Sequence, residues 1–277
     1  MLRCEGIDVA AIRVLLCDAD GTLFPSEEPA FAASADVTNR FLRGYDVDKR
    51  FSPTELRLAT TGKNFRTTVL DLARAYGIPL APDLADRYWD GSASGEVTVL
   101  RRRALTEADL ERWVLEERRV VTAHLRGALW PDAAVLEPLS LLSRRLATAV
   151  VSSSASCRVA ACLEATGLAP LFPEERRFSA EDSLPAPRSK PDPAIYAFAG
   201  ARLGATPEGG LAVEDSVPGV QSAVAAGYAT IGTVQFVPKL ERPVRVKALR
   251  RAGAAAVISC WQELLDLLLV PSEAFRR

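Results

Sequence analysis

Short apolar runs that end in polar side chains recur at wide spacing along this chain. Three such runs lie at residues 12–17, 146–151 and 211–213, and the polar residues that follow them are Asp18, Ser152 to Ser154, and Glu214 with Asp215. Continuous apolar runs of this length are typical of strands that are buried on both faces of a parallel sheet. Two further runs, at 230–234 and 255–258, are rich in β-branched residues and also favour strands. The pattern therefore predicts a buried sheet in which three strands end in reactive side chains.

Helical segments that end at glycine separate the strands in the second half of the chain. The predicted helices span residues 156–166, 193–203 and 219–226, and each is followed by a glycine. Glycine just beyond the last helical residue is a common helix stop. The alternation of strand and helix from about residue 144 to 258 predicts an α/β fold with a doubly wound parallel sheet, similar to the Rossmann fold.

The long segment from residue 25 to residue 130 differs from the rest of the chain. It has no convincing strand run, and its patterns predict helices at 65–76 and 106–125. Thr106 and Asp109 match a capping box at the start of the second helix, with Asp in place of the usual Glu. Because a hundred-residue connection between two strands is far longer than usual, we predict an inserted α-helical cap domain at 25–130. Residues 1–24 and 131–277 would then form the α/β core domain.

Composition and charge exclude several classes of function. The 277 residues carry a formal net charge of -1, so nothing in the overall balance indicates binding to nucleic acid or to an anionic membrane. The chain starts without a signal-peptide pattern and has no apolar run of membrane-spanning length, which favours a cytoplasmic location. Five cysteines without a Cys-x-x-Cys spacing are expected to be reduced thiols. A single histidine, His124, excludes a multi-histidine zinc site.

Asp18 and Asp20 are the first candidate reactive residues. They stand two positions apart directly after a buried strand, where unpaired charge is costly unless a counter-ion or a chemical function compensates it. The carboxyl ends of strands in open parallel α/β sheets are also the places where ligands bind. The same Asp-x-Asp-Gly segment is also a good turn sequence, so the pair needs support from elsewhere in the chain.

Ser152, Lys190 and the pair Glu214–Asp215 supply that support. Each has an ordinary structural explanation when taken singly, because serine after a strand often caps a helix and charged residues often lie in solvated turns. Together they provide a hydroxyl, an ammonium group and two further carboxylates near the ends of predicted strands.

In this order, Asp18-x-Asp20-Gly21-Thr22, Ser152, Lys190 and Glu214–Asp215 resemble the four motifs of the haloacid dehalogenase-like (HAD) hydrolase superfamily. The continuation Val213-Glu214-Asp215-Ser216-x-x-Gly219 is close to the fourth motif of that family, and the helical stretch at 25–130 resembles the cap of the β-phosphoglucomutase and phosphoglycolate phosphatase group. The resemblance spans nearly the whole chain.

The resemblance implies a Mg²⁺-dependent reaction at a phosphate ester. Asp18 would attack phosphorus to give an aspartyl-phosphate, and Asp20 would protonate the leaving alcohol and then activate water. Ser152 and Lys190 would hold the transferring phosphoryl group. The Mg²⁺ ligands would come from Asp18, Asp20, Glu214 and Asp215, because this hard ion prefers oxygen.

Three functions remain open on this evidence. A phosphatase acting on a small phosphorylated metabolite, such as a sugar or polyol phosphate, is favoured over dehalogenation because Asp20 supplies an acid for an alcohol leaving group. A β-phosphoglucomutase-like mutase is weakened, because the segment after Ser26–Glu27 has no histidine of the kind such mutases carry. A catalytically silent binding protein would be expected to have lost one of the motif residues, and none is lost.

Candidate substrate contacts lie in the core and in the cap. Ser153 follows the second motif residue, and the segment Thr61 to Arg66 resembles the cap loop that faces the core site in the family. We therefore predict substrate contacts at Ser153, Gly62, Lys63, Asn64 and Arg66. For the cap residues, the start of a helix with solvated charges is an equally good explanation.

Overall fold

A six-stranded parallel sheet forms the centre of the structure, which is a computed structural model that describes residues 7–60, 64–88 and 103–269. The strands are β1 (Val14–Cys17), β2 (Ala147–Ser152), β3 (Arg177–Ser179), β4 (Gly210–Glu214), β5 (Ala229–Thr233) and β6 (Ala256–Ile258). Their spatial order is β3-β2-β1-β4-β5-β6. The prediction of an α/β fold with a doubly wound parallel sheet is confirmed.

The central strand β1 explains why the apolar runs are continuous. Leu15, Leu16 and Cys17 have no exposed surface, because β1 is paired on both edges and covered on both faces. The register sets Cys17 beside Val150 of β2 and Val213 of β4, so the three strands end within two residues of the same level. The chain runs from β1 to β2 on one side and later returns to β4 on the other, and this reversal of strand order is where open α/β sheets bind ligands.

Eleven α-helices are found in the described part of the chain. They are α1 (Glu27–Gly44), α2 (Pro53–Thr60), α3 (Phe65–Ala75), α4 (Pro82–Tyr88), α5 (Glu107–Ala128), α6 (Ala133–Leu142), α7 (Ser156–Ala165), α8 (Ala194–Leu203), α9 (Val217–Ala225), α10 (Arg242–Arg251) and α11 (Trp261–Leu269). One face of the sheet packs against α8 and α9 through a core that includes Leu16, Val151, Ala212, Ile195 and Ala223. The four described cysteines are free thiols.

The backbone forms two compact units. One comprises Met1–Glu27 and Leu125–Arg277 and contains the sheet, and the other comprises Glu28–His124. The second unit is helical and has its own apolar core, which includes Phe41, Val69, Leu84 and Leu110. The predicted capping box is present there, since the Thr106 hydroxyl accepts the Asp109 N–H at 3.1 Å and donates to the Asp109 carboxylate at 2.9 Å.

Several elements differ from the sequence prediction, and helices α1, α2, α4, α6, α10 and α11 were not among the predicted ones. Strand β3 was not predicted, because three residues at the edge of the sheet are too short to form a visible apolar run. Helix α9 begins at Val217 rather than at Gly219. The reason is a cap, because the Ser216 side chain accepts a hydrogen bond from the Gly219 N–H at 3.1 Å and so begins the helix earlier.

Candidate active site

The ends of β1, β2 and β4 bring together most of the core residues that the sequence singled out. Asp18 follows β1, and its N–H donates to the Val213 carbonyl at 2.9 Å, which continues the sheet pairing to the edge of the site. Ser152 is the last residue of β2, and Glu214 is the last residue of β4. Because the three strands are parallel and in register, residues more than 190 positions apart meet at one edge.

Lys190 lies at the centre of this group. Its ammonium group donates to Asp18 Oδ1 at 2.6 Å, to Glu214 Oε1 at 2.7 Å and to the Val151 carbonyl at 2.7 Å. The Lys190 side chain is only 5% exposed. Its backbone N–H donates to the Ser153 hydroxyl at 3.2 Å, so the predicted substrate contact Ser153 holds the lysine segment in place.

Three carboxylates lie around this ammonium group, which contacts two of them, Asp18 and Glu214. Oxygen atoms of Asp18, Glu214 and Asp215 all lie within 4.8 Å of one another, and Asp18 and Glu214 are buried. Arg245 is close, but its guanidinium donates at 3.0 Å to the backbone carbonyl of Asp215 and not to the carboxylate. Even with the charge of Arg245 nearby, the three carboxylates outnumber the positive groups around them, and unbalanced charge in a buried site is costly without a further cation. The oxygen-only donor set suits a hard divalent ion.

The pKa directions express the same imbalance. Burial raises the pKa of Asp18, and Lys190 offsets only part of the shift. Burial and the charge of Asp18 raise the pKa of Glu214 to about 7, and burial with its two acidic neighbours raises the pKa of Asp215 well above its ordinary value. Burial alone would lower the pKa of Lys190, but Asp18 and Glu214 raise it above its ordinary value. The cluster therefore favours uptake of positive charge, either as protons or as a bound cation.

Two glycines allow the carboxylates to lie this close to the backbone. Gly21 has a φ of +80°, and a Cβ atom built there would lie 2.3 Å from Asp215 Oδ2. A Cβ atom at Gly219 would lie 1.8 Å from Glu214 Oε2. Real Cβ atoms cannot occupy either position, so both glycines are required for the observed placement of the two acids.

Asp20 is held separately from the cluster by two serines. Ser26 donates to Asp20 Oδ1, and Ser154 donates to Asp20 Oδ2 at 2.7 Å. Since a hydroxyl can both donate and accept, this pair can hold the carboxyl group in either protonation state. Neither serine was predicted as a site residue from the sequence. Ser154 follows the second motif residue by two positions, and that spacing was the available signal.

We expect the change Ser154→Ala to lower, by about tenfold, the release of phosphate that the resemblance to the hydrolase motifs implies. The change removes one of the two donors that fix Asp20, and a hydrogen bond to a charged group contributes roughly 1.5–3 kcal/mol. Steady-state turnover of a phosphate ester measures the effect. Ser156→Ala is the matched control, because Ser156 is exposed and only its backbone N–H bonds, to Asp182. Equal activity of the two variants would contradict a role for Ser154.

Ser152 is buried and available to an anion. It is 1% exposed, and its oxygen accepts the Ser154 N–H at 3.0 Å. Among the residues that the structure describes, no acceptor for the Ser152 hydroxyl proton is found. This geometry fits the predicted contact with a phosphoryl oxygen.

The predicted cap residues make structural contacts within the second unit. Asn64 is the N-cap of α3, where its side chain accepts the Thr67 N–H at 2.9 Å. Arg66 pairs with Glu107 at 3.0 Å and also with Glu111. Gly62 and Lys63 lie outside the described residues. Substrate contact by these four residues stays a prediction, and Asn64 and Arg66 already have partners.

We expect Asn64→Ala to lower the free energy of unfolding by about 1 kcal/mol, the typical loss when an N-cap side chain is removed. Urea unfolding followed by circular dichroism measures the change. Asn64→Asp is the matched control, because Asp caps a helix as well as Asn does. An equal loss of stability in both variants would contradict the capping role.

Two further observations concern the single histidine and the possibility of membrane-spanning helices. His124 is exposed on α5, so it is not a buried ligand or base. None of the helices within the described ranges is long and apolar enough to cross a membrane.

Comparison with known proteins agrees with this geometry. The family model of the haloacid dehalogenase-like hydrolases matches residues 12–227. A comparison with curated proteins finds no significant match.

Several solved structures are similar over most of the chain. A HAD family hydrolase from Deinococcus radiodurans, solved with bound phosphate and sodium, is 26% identical with a TM-score of 0.61, over 95% of this chain and 100% of that one. A conserved haloacid dehalogenase-like protein from Agrobacterium tumefaciens is 25% identical with a TM-score of 0.60, over 93% and 97%. CbbY from Rhodobacter sphaeroides, solved with xylulose 1,5-bisphosphate, is 21% identical with a TM-score of 0.62, over 91% and 96%.

The motif order, the parallel sheet and the family model agree over most of the chain. This protein belongs to the haloacid dehalogenase-like hydrolase family.

Proposed function

We propose that this protein is a Mg²⁺-dependent phosphatase that hydrolyses a small phosphorylated metabolite through an aspartyl-phosphate on Asp18. The observation that carries the proposal is the Lys190 ammonium at 2.6 Å from Asp18 Oδ1, inside a cluster with two further carboxylates. A buried carboxylate without a chemical function would not need an ammonium group and a cluster of further carboxylates beside it. A carboxylate that attacks a phosphate dianion does need positive charge beside it, because the charges of both reactants have to be neutralised first.

The side chains of Asp18, Glu214 and Asp215, together with Asp20, are the proposed holders of Mg²⁺. The excess negative charge and the oxygen-only donors of the cluster fit this ion. When bound, Mg²⁺ would neutralise charge on the phosphoryl oxygens and on the nucleophile.

In the first half-reaction, a carboxylate oxygen of Asp18 forms a bond to phosphorus while the ester bond to the leaving oxygen breaks. Asp20 gives its proton to that oxygen, so the product leaves as a neutral alcohol. The hydrogen bonds from Ser26 and Ser154 fix the orientation of the Asp20 carboxyl group.

In the second half-reaction, the ionised Asp20 takes a proton from water, and the water oxygen bonds to phosphorus. The bond between phosphorus and the Asp18 oxygen breaks, which releases inorganic phosphate and restores the carboxylate. Ser152 and Lys190 hold the phosphoryl oxygens in both steps, one as a neutral donor and one as a cation.

A sugar or polyol phosphate is the proposed substrate class. Similar structures contain phosphate in one case and xylulose 1,5-bisphosphate in another, which supports a small phosphorylated ligand for this chain as well. We also propose that residues 25–130 act as a cap domain and that Ser153 and the cap residues Gly62, Lys63, Asn64 and Arg66 contact the non-reacting part of the substrate.

A panel of phosphorylated metabolites tests the proposal. Sugar phosphates, polyol phosphates and phosphoglycolate would each be incubated with protein and Mg²⁺, and inorganic phosphate would be measured. We expect release from at least one member of the panel. A parallel incubation with glucose 1-phosphate and glucose 1,6-bisphosphate would reveal a mutase, because isomerisation without release of phosphate contradicts the phosphatase assignment.

A further inference from the structure

Glu214 receives two hydrogen bonds on the same oxygen. The Lys190 ammonium donates to Glu214 Oε1 at 2.7 Å, and the Tyr196 hydroxyl donates to it at 2.6 Å. Tyr196 lies on α8 with no exposed surface, and the Lys190 nitrogen is 5.2 Å from the centre of its ring. Tyrosine, lysine and glutamate therefore form one closely packed group beneath the site.

The Lys190 ammonium has no donor to spare. It carries three N–H groups, and they are directed to Asp18, Glu214 and the Val151 carbonyl. A phosphoryl oxygen can receive a hydrogen bond from Lys190 only after one of these three bonds is released. The structure allows the three to be compared.

Release from Glu214 is the least costly of the three. The Val151 carbonyl belongs to a buried strand and would lose this donor from Lys190, and Asp18 needs the positive charge beside it while it attacks. Glu214 Oε1 keeps a second donor, the Tyr196 hydroxyl, when Lys190 turns away. A buried carboxylate left with no donor would oppose the movement.

We propose that Tyr196 is a positioning residue that holds Glu214 while Lys190 transfers one N–H from Glu214 Oε1 to an oxygen of the phosphoryl group. This inference rests on the proposed function, because it assigns how a phosphoryl group is received at that site. Tyr196 itself touches no reacting atom and acts through Glu214 and Lys190.

Tyr228 provides a matched control in the same apolar core. Its ring lies 6.4 Å from the Tyr196 ring, and its hydroxyl donates to the Ala205 carbonyl at 3.2 Å. Both Tyr→Phe changes remove one hydroxyl from a buried ring and keep the packing of the ring. Only Tyr196→Phe removes a donor from Glu214.

The experiment compares the wild-type protein, Tyr196→Phe and Tyr228→Phe with inorganic phosphate as the probe. Isothermal titration in Mg²⁺ gives the phosphate Kd, turnover of the best phosphate ester gives kcat/KM, and urea unfolding gives stability. For Tyr196→Phe we expect the Kd to rise and kcat/KM to fall by about tenfold, the scale of one hydrogen bond to a charged group. Tyr228→Phe should match the wild type in both.

A merely structural role for Tyr196 would change the urea midpoint alone. Unchanged Kd and kcat/KM in Tyr196→Phe, with the wild type active, would overturn the inference and leave the proposed function standing. Equal losses in both variants would also overturn it, because the effect would then belong to the core and not to Glu214. A wild-type protein that neither binds nor releases phosphate would overturn the proposed function, and the inference with it.

Discussion

Replacing Asp18 by asparagine is expected to reduce phosphate release by about four orders of magnitude, the scale seen when an essential nucleophile is removed. An amide oxygen cannot form the covalent bond to phosphorus that the proposed mechanism requires. It can still accept the hydrogen bond from Lys190, so the variant should keep the geometry around the ammonium group. Release of inorganic phosphate from the best substrate measures the loss.

The same variant should be no less stable than the wild type when metal is absent. Burial, and to a smaller extent the charge of Asp20, raises the pKa of Asp18, which means that its charge costs free energy in the folded state. Removing that charge should leave the melting temperature in EDTA equal or higher. Asp132→Asn is the matched control, because Asp132 caps α6 and Asn can replace it there. A fully active Asp18→Asn protein would contradict the assignment of the nucleophile.

Removal of divalent metal is expected to lower activity by about a thousandfold or more, since charge neutralisation contributes several kcal/mol to such reactions. Asp18, Glu214 and Asp215 together carry more negative charge than Lys190 balances, so the cluster would repel a phosphate dianion without another cation. Dialysis against EDTA followed by titration with Mg²⁺ measures the loss and its recovery. Activity that survives EDTA would contradict the metal assignment.

Metal removal should also change how stability depends on pH. The folded pKa of Glu214 is raised from 4.5 to about 7, so its contribution to stability is fully present below pH 4.5 and is lost as pH rises through 7. The metal-free protein should therefore lose stability between pH 5 and pH 8, on the order of a few kcal/mol. Urea unfolding in EDTA at both pH values measures this loss, and Glu214→Gln should show less of it. With Mg²⁺ the loss should disappear, because the metal binds the ionised carboxylates.

Much of the fold could be predicted from local pattern. The apolar run before Asp18 appears as β1, and the runs before Ser152 and Glu214 appear as β2 and β4, with ends that differ by one or two residues. Burial on both faces forces such strands to be continuously apolar, so they are visible in the sequence. Strand β3 lies at an edge and is too short to carry that signature.

Some residues of the candidate site could be identified from the sequence, and others could be found only in the structure. Asp18, Ser152, Lys190 and the Glu214–Asp215 pair were identified from residue type and order, and the structure places these core residues at one edge of the sheet. The partners that hold them were not identified. Ser154, Tyr196 and Arg245 reach the site from a loop and from two helices, and nothing in their local sequence shows which way those side chains point.

The sequence by itself determined the fold class, the family resemblance and the identity of the charged residues. Buried strands are visible as continuous apolar runs and helix ends as glycines, and both signals lie within a few neighbouring positions. Only the tertiary structure decided that one lysine serves three acceptors and that Tyr196 shares its glutamate oxygen. Those facts depend on the register between parallel strands and on helix packing, which join residues from 18 to 172 positions apart in the chain. The net charge of the cluster also depends on the tertiary structure, because its acidic and basic residues come together only when the chain is folded.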